Sequence, residues 1–111
     1  MKIHFTKMHG CGNDYIFIDR TDEAGELPSP RRLAAAMSPR HFSVGGDGVV
    51  IISESRRADA AMRIFNADGS EGRMCGNALR CVGLYLYARG ICERKSMTVD
   101  TPAGIRAVRV L

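Results

Sequence analysis

The sequence predicts an α/β domain of the α+β kind, a curved and mainly antiparallel sheet wrapped around a central helix. Three observations point there. The 111 residues allow one domain with a real core and leave little room for two. Short apolar segments recur along the chain, each bounded by turn residues. One segment, from Gly76 to about Arg89, shifts to helical pattern and is apolar around nearly its whole circumference. A surface helix shows one apolar stripe, so this helix is expected to be enclosed by other elements.

The elements follow in order. Met1 to Met8 alternates in part and reads as a strand. His9-Gly-Cys-Gly-Asn-Asp14 is turn chemistry, because glycine and Asn-Asp tolerate positive φ. Tyr15 to Asp19 is the second strand, and Thr21 to Ser29 is a loop. Ser29 then caps a helix that opens on Pro30 and runs to about Met37, where Pro39 forbids more. A glycine-dense turn, Ser43 to Gly48, leads into the apolar strand Val49 to Ser53. Ser55 to Asp59 is a polar connection. Ala60 to Asn66 is a strand with Met62 and Ile64 on one face, Arg63 and Phe65 on the other. Asn66 to Ser70 is a tight turn. After the Gly76 helix, stopped by Gly90, Met97–Thr101 and Ile105–Leu111 form strands joined through Pro102-Ala-Gly104.

Composition excludes several classes of function. At 45% hydrophobic and 25% charged residues the chain has the means to bury a core, unlike a disordered segment. No apolar run approaches the roughly 20 residues that span a bilayer. Met1 to Asn13 carries no apolar signal-peptide core, so a cytoplasmic chain with no membrane partner is expected. The net charge of +4 comes from 16 basic residues against 12 acidic ones; 13 of the basic residues are arginine, and the arginines are adjacent to one another only at Arg31-Arg32 and Arg56-Arg57. With 6% aromatics and no basic stripe, no nucleic-acid partner is expected. A small anionic substrate suits the charge equally well.

The 4 cysteines, Cys11, Cys75, Cys81 and Cys92, form no C-x-x-C pair. With His4, His9 and His41 scattered as well, no metal site is expected. Cysteines in such a chain are ordinarily small buried hydrophobes. Cys75 is different because it stands at the start of the apolar helix. Free N–H groups and a partial positive charge there favour a thiolate. The same groups would hold a carboxylate, and Gly76 lets a ligand approach the backbone. Cys81, six residues on, lies about 9 Å further along the helix on another face, so it belongs to the core.

Four motifs in order carry a resemblance: Met8-His-Gly-Cys-Gly-Asn13-Asp14, Gly45-Gly-Asp47-Gly48, Phe65-Asn66-Ala-Asp-Gly-Ser70 and Met74-Cys75-Gly-Asn77-Ala-Leu-Arg80-Cys81. Together with Thr101-Pro-Ala-Gly104 they cover nearly the whole chain, which resembles the amino-terminal half of the diaminopimelate epimerases. The resemblance implies a pseudo-symmetric enzyme of two such halves with its site in the cleft between them. It implies epimerisation of LL-2,6-diaminopimelate to the meso form, for lysine and peptidoglycan synthesis, with no cofactor. Two cysteines act as acid and base in that family, and Cys75 matches the first. Gly76 and Asn77 would then hold the substrate α-carboxylate through their amides, and Asn13 and Asn66 would bind its ammonium and carboxylate groups.

The resemblance also has gaps. Ala78 replaces a common glycine, with a methyl that narrows the pocket or tightens the helix start. Gly48 stands where some members place a glutamine near the substrate. Nothing matches the carboxy-terminal half, with its second cysteine. A carboxy-terminal domain is therefore the partner this chain requires, and alone it is expected to be inactive. Two other readings stay open: a non-catalytic half-domain or homodimeric ligand-binding module, and a related two-cysteine enzyme such as a proline racemase.

Overall fold

The structure, a computed structural model, describes residues 6–10, 13–20, 48–73 and 75–110. Residues 1–5, the loop and capped helix expected within 21–37, most of the 43–48 turn, and Cys11 lie outside these. Among the described residues seven strands form one sheet. They are β1 (Thr6–Gly10), β2 (Asn13–Asp19), β3 (Gly48–Ser53), β4 (Ala60–Asn66), β5 (Glu71–Gly72), β6 (Ser96–Thr101) and β7 (Gly104–Arg109). Among the described residues one helix, α1 (Gly76–Ala88), enters between β5 and β6.

The spatial order is β1-β2-β3-β4-β6-β7, with β5 paired to β4 outside this path. Neighbours are antiparallel except β2 with β3 and β4 with β6, so the sheet is mainly antiparallel as its short hairpins require. The strand expected over residues 1–8 is described from Thr6 and runs on to Gly10, and β2 begins at Asn13.

The turns follow from their residues. Between β4 and β5 the Asn66 carbonyl accepts from the Gly69 amide (2.9 Å), and Gly69 takes φ +91°, a left-handed conformation that glycine adopts freely. Asp68 accepts from the Ser70 amide and hydroxyl at 2.9 and 2.6 Å, and its pKa is lowered, chiefly by the hydroxyl. At the end of α1, Gly90 at φ +72° allows the Ile91 amide to reach back to Leu86.

Alternate residues of β2, β3 and β4 place Tyr15, Phe17, Val50, Ile52, Met62 and Ile64 on the concave face against α1. Ile16, Ile18, Val49, Ile51 and Phe65 point the other way and are buried too, so these strands are covered on both faces. From α1, Ala78, Leu79, Cys81, Val82, Tyr85 and Leu86 complete the core. The helix touches β1 near one edge, β7 at the other, and β4 between them, which is the curl the pattern predicted.

Enclosure is incomplete, however. Leu84 and Tyr87 are 49% and 36% exposed, and with Arg80 and Ala88 they form an uncovered stripe. The expectation of a fully enclosed helix is corrected here. The sheet wraps one side of α1, and apolar type alone does not fix burial. Cys92, past the helix end, is buried in the same core.

Two contacts set how the helix and the parallel junction sit. An added Cβ at Gly83 would fall 2.6 Å from Val108 Cγ1, so α1 meets β7 only because residue 83 has no side chain. Asp59 locks β4 to β6: the Thr98 amide donates to its Oδ2 (2.8 Å), and Arg94 pairs with its Oδ1. The Thr98 amide, with the Arg94 charge, holds the Asp59 carboxyl below its usual range.

Gly83→Ala is expected to cost about 1–3 kcal/mol in denaturant unfolding. In a Val108→Ala background most of that cost should vanish, because the obstructing methyl is gone. The lowered pKa of Asp59 contributes stability that is complete above the unfolded carboxyl's pKa of about 3.9 and drains as pH falls through the folded value. Asp59→Asn should therefore flatten the acid limb of stability against pH.

Candidate functional site

The end of the sheet where β2 and β3 begin carries the site. In register, Tyr15 of β2 pairs with Gly48 of β3, and Gly48 with Asn66 of β4. An added Cβ at Gly48 would lie 2.8 Å from the Phe65 carbonyl oxygen, so no larger residue fits this backbone. The expected departure from glutamine is therefore a requirement of close strand approach in this chain.

Cys75 occupies the N-cap position of α1 with extended backbone (φ −133°, ψ 121°), and its carbonyl accepts the Leu79 amide at 2.9 Å. Its side chain is half-buried at the helix start, with Sγ 2.9 Å from the Tyr15 hydroxyl. Burial pushes the thiol pKa up. The Tyr15 hydroxyl, the Ala78 and Asn77 amides and the Arg80 charge push it down, and the net direction is down. Cys75 thus holds a thiolate more readily than an ordinary cysteine.

Gly76 and Asn77 form the first turn, where amides lack intrahelical partners. Arg80 folds back over this turn and donates to Asn77 Oδ1 at 3.3 Å. The Ala78 methyl is buried in the core, where it packs the helix start against the sheet.

Asn66 ends β4, exposed, with Nδ2 donating to Ser70 Oγ at 3.1 Å. Asn13 begins β2, two positions before Tyr15. Cys75, Gly76 and Asn77 are thus contiguous at the helix start, while Asn13 opens β2 and Asn66 closes β4. Tyr15 was not singled out in the sequence. The signal was available, because it follows Asn13 by two residues in a strand and a buried tyrosine hydroxyl needs a partner.

Among the described residues no three metal-ligating side chains cluster, and no helix is long and apolar enough to cross a membrane. A recess of about 640 Å³ lies on the other flank, lined by Arg57, Asp59, Arg94, Thr98 and Arg109 among others. Arg57 there pairs with Asp100 and Arg94 with Asp59, and Cys75 is not part of it.

The diaminopimelate epimerase family profile matches residues 5–111. The chain belongs to the diaminopimelate epimerase family. It is 52% identical over 109 residues to the diaminopimelate epimerase of Desulfovibrio desulfuricans, and 50% identical over 108 to that of Acetivibrio thermocellus. These alignments take in 98% and 97% of this chain but 37% and 38% of the relatives, so it spans little more than a third of their length. A hydroxyproline epimerase from Agrobacterium vitis, solved with trans-4-hydroxy-L-proline bound, shares the fold at TM-score 0.72 and 17% identity, over 96% of this chain and 37% of that one.

In this family member, alkylation of the folded chain at neutral pH should label Cys75 well before Cys81 or Cys92, which are buried. Mass spectrometry of tryptic peptides separates the first two, because Met74 to Arg80 contains Cys75 alone. Equal labelling of all three in the folded state would refute the assignment of Cys75 as the reactive thiol.

Proposed function

We propose that this chain is the amino-terminal domain of a diaminopimelate epimerase and that Cys75 is one of its two acid/base thiols. The observation that carries the reading is a half-buried thiol with a lowered pKa at a helix start, in a chain of this family. The substrate would be LL-2,6-diaminopimelate and the product its meso form, serving lysine and peptidoglycan synthesis in the cytoplasm.

The chemistry asks for a base on one face of the α-carbon and an acid on the other. The α-proton of an amino acid is weakly acidic, and no cofactor acts as electron sink in this proposal. Cys75 as thiolate takes the proton, or as thiol returns one in the reverse direction. The Gly76 and Asn77 amides hold the α-carboxylate and meet the negative charge that develops as the proton leaves. Asn13 and Asn66 hold the ammonium and carboxylate groups, each amide side chain offering both donors and an acceptor. The segment that relatives carry beyond this length would supply the second thiol and close the site against water.

High identity to diaminopimelate epimerases favours this substrate over proline. A probable proline racemase from Agrobacterium radiobacter matches at 22% identity and supports the fold alone.

The direct test follows deuterium entry at the substrate α-carbon in D2O. The 111-residue chain alone should be inactive, and a protein of the relatives' full length should exchange and epimerise. Cys75→Ala in that protein should lower the rate at least 100-fold, on the order of what a positioned acid or base contributes. A Cys75→Ala protein at the unsubstituted rate would sink the proposal.

A further inference from the structure

Tyr15 is 5% exposed, and its hydroxyl crosses from β2 to the helix start to meet Cys75 Sγ, 60 residues away in sequence, at 2.9 Å. Its ring is held by the core around it, edge-on to Phe17 with centroids 6.2 Å apart. The hydroxyl is therefore delivered by a rigid element rather than by a mobile side chain.

We propose that Tyr15 is a positioning residue for Cys75, fixing the sulfur at the helix start and donating a hydrogen bond to its thiolate. This rests on Cys75 being the reactive thiol and adds a residue the catalytic reading does not use. With a thiol, either group can be the donor. With a thiolate only the phenol can donate, and that bond is charge-assisted and about twice as strong as a neutral one. The contact thus survives both protonation states while favouring the ionised one. The sulfur keeps its place through a cycle that protonates and deprotonates it.

Among the described residues, the groups facing this sulfur are few. From β2 comes the Tyr15 hydroxyl, and from α1 come the Asn77 and Ala78 amides and the Arg80 guanidinium. The amides belong to any helix start, and Arg80 is exposed and screened by solvent. Among the described residues, Tyr15 brings a hydrogen-bonding side chain to the sulfur from inside the fold.

The experiment reads the pH dependence of iodoacetamide alkylation at Cys75, followed on the Met74–Arg80 tryptic peptide, in the full 111-residue chain and independently of epimerase activity. Tyr15→Phe keeps the ring and removes the hydroxyl. The alkylation midpoint should rise by about one pH unit, with labelling near neutral pH slowed about tenfold. An unchanged midpoint with native circular dichroism would overturn the proposal. If Tyr15→Phe does not fold, a fluorinated tyrosine at position 15 supplies a more acidic donor of nearly the same size. It should lower the midpoint, and no movement again overturns the proposal. A midpoint that moves as expected in a chain whose full-length counterpart shows no epimerisation would uphold the role of Tyr15 and defeat the proposed function.

Discussion

Helix α1 is fastened along β2 at both ends by tyrosine hydroxyls, and the site depends on that alignment. Tyr15, near the start of β2, meets Cys75 at the helix start. Tyr85, near the end of the helix, donates to Asp19 Oδ2 at the end of β2 (2.7 Å). Four residues of strand cover roughly 13 Å and ten residues of helix roughly 15 Å, so the two fastenings fit a helix running beside the strand in the same direction. Between them Phe17 and Val82 are core residues with no polar atom to place. Gly83 lets the far side of the helix settle against Val108. A shift of one helical turn would break both hydroxyl contacts and carry Cys75 away from the row formed by Tyr15, Gly48 and Asn66.

Much of this was legible in the sequence because it is local. The period-two pattern marks β4, the run Val49 to Ser53 marks β3, and Gly90 stops the helix because a left-handed residue needs no Cβ there. What was not legible is non-local. The parallel junctions of β2 with β3 and β4 with β6 join segments distant in sequence, and no local pattern encodes them. Leu84 and Tyr87 have the composition of core residues and lie exposed, since the wrap of the sheet decides which helix face is covered. The two-residue β5 is too short to carry a periodicity of its own.

The candidate site divides in the same way. Cys75, Gly76 and Asn77 were visible as a unit because a helix start is a local feature whose amides need no side chain to be functional. Gly48 could be read only as a departure from a family pattern, and its reason appears in the approach of the Phe65 carbonyl. Tyr15 became relevant only once β2 and the helix start were placed together. A tyrosine in an apolar strand is ordinary until its hydroxyl is found against a thiol.

A thiol that removes a proton from carbon faces conflicting demands. It must be ionised near neutral pH, yet a thiolate stabilised too strongly becomes a poor base. In the proposed role, the opposing influences on Cys75 answer both. Partial burial raises its pKa and preserves basicity, while the Tyr15 hydroxyl, the helix-start amides and Arg80 bring the thiolate back within reach. Full burial would favour the neutral form, and full exposure would leave the sulfur hydrated and loosely placed. A half-buried position at a helix start, with one buried hydroxyl in contact, therefore suits a carbon base better than either extreme. In the proposed roles, the tyrosine that fastens the start of the helix to β2 is also one of the groups that set this compromise, so one contact serves both the helix's alignment and the sulfur's chemistry.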